Sequence, residues 1–296
     1  MSTSSAAPSA PLDILFVLAH PDDESFGFAG LMAWAKSRTL RLGLVCATRG
    51  EAGEISDPSL GTPETLGAVR ERELRTAMEL AGVDPVRLLS YRDSGMMGTA
   101  ENDDPRSLVR ANPESVLADI VYHLRDLRPR AVVTFGPDGV YGHPDHIQIG
   151  AVTTEAVAVA ASRQHPFLGE ARTVDRLYHA AVAREDLIAM SHRATGPFAG
   201  MSPEEVAKLG IPRSEITHTF DVAAFVENKL SIIRSHATQL PYRPEPGSAG
   251  DPAMRPRLGK ESLKRVPLPW NVAPGLDDEL DAFNTLGNHP EPVSLA

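Results

Sequence analysis

Short apolar runs alternate with longer amphipathic stretches through the first 160 residues of the chain, the pattern of strands followed by helices. Residues 12–19 (LDILFVLA) form a nearly continuous apolar run of strand length that stops at His20-Pro21. Such a run suits a strand covered on both faces, as in a parallel sheet. Residues 25–38 read as a helix and 40–47 as a second strand. Residues 64–81 read as a strongly charged amphipathic helix, ended by Gly82 at C′. A third strand is expected at 86–91. A helix follows at 113–127, with proline in its first turn and Asn112 as N-cap. Residues 131–135 (AVVTF) predict a fourth strand and 145–161 a further helix. This alternation, with no Asn-Gly hairpin signal, predicts an α/β fold: a Rossmann-like, doubly wound, mostly parallel sheet with helices on both faces.

The pattern is less regular beyond residue 161. Strands are expected at 174–182 and 216–222, a short helix at 203–209 and a longer one at 223–237. Residues 241–296 are rich in proline and glycine and show little periodicity. The expected organisation is a disordered Ser/Ala/Pro-rich leader at 1–11, one catalytic domain at 12–240, and a 241–296 extension packed on that domain. No repeat of 20–50 residues is present.

Composition narrows the function. The chain has 296 residues, 42% hydrophobic and 23% charged, as expected of a soluble globular protein. With 29 Lys and Arg against 39 Asp and Glu, the net charge is −10, which argues against nucleic acid or an anionic membrane as partner. No apolar run is long enough to predict a membrane span. The first residues lack the basic and apolar regions of a secretory signal. The single cysteine, Cys46, excludes an internal disulfide and a cysteine-rich zinc site, and a reducing cytoplasm is the expected setting.

In open parallel sheets ligands bind beyond the carboxyl ends of the strands. The four expected exits carry His20-Pro21-Asp22-Asp23-Glu24, Thr48-Arg49-Gly50-Glu51, Tyr91-Arg92-Asp93-Ser94-Gly95 and Tyr141-Gly142-His143-Pro144-Asp145-His146. In the first loop His20 and Asp23 are three apart and can converge on one point. Asp22 and Asp23 must then point differently, so that one ligates and the other stays uncoordinated. His143 and His146 share the same spacing, and one of them can complete a His-Asp-His triad that leaves a position open for water, the catalytic pattern. Alone, Asp22 or Asp23 reads as a helix cap and the histidine pair as a solvated surface. Together at two exits of one sheet they predict a metal site. Such ligand sets serve zinc hydrolases and iron(II) oxygenases. The helix-rich pattern and the spare carboxylate favour the hydrolase. A dinucleotide-binding oxidoreductase needs a Gly-x-Gly-x-x-Gly turn after the first strand, where this chain has the bulky, anionic HPDDES.

Ala19-His20-Pro21-Asp22-Asp23-Glu24 paired with His143-Pro144-Asp145-His146 resembles the LmbE/PIG-L family of zinc-dependent N-deacetylases. The similarity spans about residues 12–240 and includes Val69-Arg70-Glu71-Arg72-Glu73 and Tyr91-Arg92-Asp93-Ser94-Gly95-Met96. The last segment and Tyr141-Gly142 are especially similar to the branch that deacetylates glucosaminyl conjugates in mycothiol and bacillithiol synthesis. The resemblance implies His20, Asp23 and His146 as Zn²⁺ ligands, with Fe²⁺ a possible native alternative. It implies Asp22 as general base and His143 as oxyanion stabiliser or proton-transfer aid. Tyr141 would polarise the amide carbonyl and Asp145 would orient a histidine. Arg70 and Asp93 would bind sugar hydroxyls, while Glu51 either joins them or fills a turn. The implied reaction removes an acetyl group from an N-acetylglucosamine-containing small molecule, and the implied assembly extends to a homo-oligomer. The nearest alternative is an amidase cleaving a larger acyl group from a glucosaminyl thiol conjugate; a non-catalytic metal- or sugar-binding module is a second. Arg72 and Arg75 read as a solvated salt-bridge face, and His236 as a helix-end residue favoured by the dipole alone.

Overall fold

The computed structural model describes residues 10–191, 201–240 and 258–270. Most of the expected leader and extension lie outside these residues, as do His192 and His289. In chain order the elements are β1 (Ile14–Leu18), α1 (Asp23–Ser37), β2 (Leu42–Cys46), α2 (Leu66–Ala81), β3 (Val83–Leu88), α3 (Pro113–Leu127), β4 (Ala131–Thr134), the single turn α4 (Gly139–Gly142), α5 (Pro144–Ala161), β5 (Arg176–Ala180), α6 (Arg184–Ser191), α7 (Pro203–Val206), β6 (His218–Asp221), α8 (Val226–Ile233) and β7 (Lys260–Val266).

The seven strands form one sheet in the order β3-β2-β1-β4-β5-β7-β6. The first five are parallel, and β7 runs antiparallel between β5 and β6. Every residue of β1, β2 and β4 is buried, the reason their sequences read as unbroken apolar runs. Helices α1, α2 and α8 pack together, and α3 packs on α5, as right-handed crossovers on either side of β1 require. The chain turns to β2 on one side of β1 and to β4 on the other. A crevice therefore opens beyond the carboxyl ends of β1 and β4, where the HPDDE and HPDH segments emerge.

Several elements differ from expectation for identifiable reasons. β3 starts three residues earlier than the apolar run suggests and passes through Pro85, which an edge strand tolerates because its missing N–H is not needed there. The expected helix at 223–237 is α8 with a 3₁₀ turn on each side, Ala223–Phe225 and Ala237–Gln239. β7 was not expected within the Pro/Gly-rich segment. One of its inward positions is Glu261, which hides the alternation: Glu261 is 5% exposed. Its Oε1 takes a hydrogen bond from Lys229 Nζ (2.7 Å), and its two oxygens accept from Gly30 N (2.9 Å) and Leu31 N (2.7 Å) of α1.

The expected caps are present. Gly82 ends α2 in the left-handed region (φ 71), and Asn112 Oδ1 accepts from Glu114 N at 2.9 Å at the start of α3. Helix α5, which carries His146, is held at both ends. The His143 ring caps its N-terminus, accepting from Asp145 N at 3.1 Å. At the other end the buried Arg125 guanidinium donates to the carbonyls of Val159, Ala160, Ser162, Gln164, His165 and Gly169. Between them Gly150 lies against β4's exit, where a Cβ would stand 2.5 Å from the Phe135 carbonyl oxygen. Backbone cannot yield as a side-chain tip can, so Gly150→Ala is expected to cost about 1–3 kcal/mol of stability, read as a lower urea midpoint at unchanged m-value.

Candidate active site

His20 leaves β1 and is 5% exposed; His146 enters from α5 and is 1% exposed. His20 Nδ1 lies 3.2 Å from His146 Nε2. The outer nitrogen of each ring fixes its tautomer. His146 Nδ1 faces the Gly139 carbonyl at 3.2 Å, which can only accept, so Nδ1 carries the proton. His20 Nε2 faces Asp145 Oδ2 at 3.1 Å and Asp93 Oδ1 at 3.4 Å, and ionised carboxylates likewise only accept. In the neutral rings, then, His20 Nδ1 and His146 Nε2 aim lone pairs at each other. Asp23 adds negative charge to the same place: Oδ1 is 3.1 Å from His146 Nε2 and Oδ2 is 3.7 Å from His20 Nδ1. Its Oδ2 is fixed by the amides of Ala19 (3.1 Å) and His20 (2.7 Å).

Three Lewis bases converging out of water require positive charge between them. One proton on His20 is a partial answer. Burial lowers the basicity of that ring, but the carboxylates of Asp93, Asp145 and Asp23 outweigh burial and hold its pKa well above the ordinary histidine value. A divalent cation answers all three contacts at once. From His146 Nε2, His20 Nδ1 at 3.2 Å and Asp23 Oδ1 at 3.1 Å lie close to the edge of a tetrahedron built on Zn–N bonds of about 2.0–2.1 Å, an edge of about 3.3–3.4 Å. Burial alone would raise the Asp23 carboxyl, yet the imidazoles of His146 and His20 keep it well below the usual carboxylate range. Both histidines pass their outer N–H to an acceptor, the outer arrangement typical of metal-ligating imidazoles. A ring nitrogen of His143 is within 4.8 Å of nitrogens of His20 and His146.

Asp22 occupies a different position. Its side chain is 20% exposed and its Oδ2 lies 3.1 Å from Arg70 Nη2. Burial raises its carboxyl to about 6 despite Arg70. Its backbone sits at φ 124, ψ −25, a region that costs a non-glycine residue about 1–3 kcal/mol and persists only when its surroundings enforce it. Tyr141 follows another unusual residue, Val140 at φ 66, and its hydroxyl is 3.5 Å from His146 Nε2. Burial and the charges of Asp23, Asp22 and Asp93 push that phenol well above its ordinary pKa. Burial, with His20 and His146 alongside, takes His143 down to about 4.

Two residues expected to meet sugar hydroxyls are buried and engaged within the protein. Arg70 is 3% exposed; besides Asp22 it donates to Pro21 O (2.5 Å) and Gly50 O (2.8 Å). Asp93 is also 3% exposed, with Gly95 N on Oδ1 (2.8 Å) and Ala52 N on Oδ2 (3.2 Å). Glu51 is half-buried and accepts from Asp93 N at 3.1 Å. It lines an open cavity of about 470 Å³ with Arg49, Glu64 and Arg92. The Asp145 carboxylate meets the ring of His20, while only its backbone amide meets His143. The Arg75–Glu71 pair at 2.8 Å is the surface salt bridge expected of that helix.

Sequence reading missed the supports. Ser94 holds the Asp145 carboxylate through its amide (2.9 Å) and its hydroxyl. Phe135 stacks on the His146 ring, centroids 3.9 Å apart. His236 is paired with Glu24 at 2.7 Å, both fully buried. The only signal for this pair was that Glu24 ends the HPDDE motif at a helix start; nothing in the pattern names its partner.

The PIG-L family profile, described as GlcNAc-PI de-N-acetylase, matches residues 15–157. The chain is 37% identical over 241 residues to the 1D-myo-inositol 2-acetamido-2-deoxy-alpha-D-glucopyranoside deacetylase of Rhodococcus jostii (strain RHA1), covering 78% of this chain and 82% of that one. With the deacetylase of the same name from Geodermatophilus obscurus it shares 35% identity over 290 residues, 91% of this chain and 97% of the relative. Among solved structures, the N,N'-diacetylchitobiose deacetylase of Pyrococcus horikoshii aligns with a TM-score of 0.60 over 91% of this chain and 90% of its own, at 20% identity, which speaks to the fold alone. The chain belongs to the PIG-L (LmbE) family.

The converging donors make a direct expectation. Chelator-treated protein should gain thermal stability when Zn²⁺ is added, by about 2.7 kcal/mol at a hundredfold excess over Kd, and His146→Ala should abolish the gain. Asp145→Ala, which strips His20 of an outer partner, should weaken the metal about 10–100-fold, as read by competition with a chromogenic chelator.

Proposed function

We propose that this protein is a zinc-dependent N-deacetylase that removes the acetyl group from an N-acetylglucosaminyl conjugate, with the inositol glycoside as the favoured substrate. One observation carries the chemistry: two buried imidazoles whose inner lone pairs face each other at 3.2 Å beside the Asp23 carboxylate, with a second carboxylate, Asp22, held apart on Arg70. The names of the Rhodococcus and Geodermatophilus relatives support the substrate class.

His20, Asp23 and His146 would hold the ion. Zinc bound there would supply Lewis-acid polarisation of a carbonyl and a water acidified to a pKa of about 7. The chain's own groups do the rest. Asp22, with its carboxyl near 6, is matched to take the proton of the attacking water at neutral pH and to return it to the departing amine. His143 Nδ1 accepts from Asp145 N, so in the neutral ring the proton sits on Nε2 and can be donated to the oxygen developing charge. Neutrality is secured by its lowered pKa of about 4. The Tyr141 hydroxyl stays protonated and gives a second donor. Asp93 and Asp145 strengthen His20 as a ligand from behind. Glu51, with the cavity it lines, would contribute sugar contacts alongside Arg70 and Asp93. We read residues 12–240, completed by β7, as the catalytic unit, working on small amino-sugar conjugates in the cytoplasm.

A fluorescamine assay for released amine across N-acetylglucosamine, its inositol and malate conjugates and N,N'-diacetylchitobiose should show turnover of the inositol conjugate by metal-loaded protein. No amine from any of the four would overturn the assignment. Asp22→Ala should lower kcat about 10²–10⁴-fold while retaining zinc, whereas Asp23→Ala and His146→Ala should lose the metal, measured by elemental analysis after dialysis.

A further inference from the structure

Asp22 is held in its unusual backbone conformation by contacts that converge on a single peptide group. The carbonyl of the Pro21–Asp22 peptide, Pro21 O, accepts from Arg70 Nη2 at 2.5 Å. The N–H of the same peptide, Asp22 N, donates to Glu24 Oε2 at 2.9 Å. One side chain therefore grips each pole of the peptide plane. Beyond it, the Asp22 carbonyl accepts from Ser25 N (2.9 Å) and Phe26 N (3.0 Å). Rotating Asp22 toward an ordinary φ would tear the amide from Glu24.

Glu24 cannot drift, because its other oxygen is tied down. Oε1 accepts from Ser25 Oγ at 2.5 Å and lies 2.7 Å from His236 Nε2, with Glu24, Ser25 and His236 all 0% exposed. His236 is in turn anchored through the turn that follows it. Thr238 gives its amide (2.8 Å) and hydroxyl (2.6 Å) to the carboxylate of Glu73 on α2. Ser56 N, in the loop after β2, donates to Thr238 O at 2.9 Å. Glu24 is thus the end of a buried chain, and among the described residues its remaining oxygen is hydrogen-bonded to the amide of Asp22.

We propose that Glu24, locked by His236 and Ser25, is a positioning residue for Asp22: it works with Arg70 to clamp the Pro21–Asp22 peptide and so aims the Asp22 carboxylate into the site and away from the ligand position that Asp23 fills. The proposal rests on Asp22 being the base. A buried Glu–His pair with a purely structural role would affect folding, metal content and turnover together, whereas the clamp acts on kcat through Asp22.

The test is a kinetic double-mutant cycle on metal-loaded protein with N-acetylglucosaminyl inositol. Glu24→Ala should lower kcat about 10²-fold, as expected for a catalytic group misplaced by an ångström, with KM within about 2-fold and zinc stoichiometry unchanged. Glu24→Gln, which keeps an acceptor for Asp22 N, should recover at least about 3-fold of that loss. In an Asp22→Ala background Glu24→Ala should bring no further fall in kcat, the non-additivity of residues that act as a unit. Should Glu24→Ala not fold, Ser25→Ala carries the same cycle with a loss of about 3–10-fold. Losses that multiply in the Asp22→Ala background, or that track lost zinc, overturn the clamp alone. Full activity in Asp22→Ala overturns the base assignment, and the clamp with it.

Discussion

The site is organised by one electrostatic constraint: two imidazoles sealed from water, each forced by an acceptor behind it to present a bare nitrogen to the other. His146 is committed by the Gly139 carbonyl and His20 by Asp145 and Asp93. Unmet, that arrangement would push β1 and α5 apart; met by a cation, it draws them together. The reversal of strand order at β1 brings the two exits side by side, and Gly150 lets α5 close onto β4. A cation bound there would couple its own binding to the packing of the central sheet.

The same crowding sorts the remaining groups by charge. Asp23 and Asp93 are held ionised, while His143 and Tyr141 are held neutral as donors. Asp22, set slightly apart on Arg70, is left near the middle of the range. Five titratable groups in one crevice take three different protonation roles because each differs in burial and in the sign of its nearest neighbour.

Much of this was legible in the sequence because strongly constrained features leave local marks. Buried parallel strands appear as apolar runs. The proline-fixed HPDDE and HPDH junctions announce themselves by spacing, and Asn112 and Gly82 mark helix ends. What was not legible depends on distant pairs. β7 reads as polar because its inward Glu261 answers Lys229 and two α1 amides, none of them nearby in sequence. Arg70 and Asp93 reside at the site, but only coordinates show that they face Asp22 and His20. His236, more than 200 residues from Glu24, carries no mark of its role beyond standing at a helix end.

The late position of β7 has a consequence for how the molecule comes into being. Its glutamate secures the middle of α1, the helix that begins with Asp23, and neutralises Lys229, which is otherwise buried with its charge. During synthesis the two histidine-bearing junctions leave the ribosome more than a hundred residues ahead of that strand. A nascent chain can therefore form the parallel strands of the sheet before the strand that secures the middle of its first helix has been made. Maturation of the catalytic crevice is thereby timed to the arrival of a strand that touches none of its reactive groups.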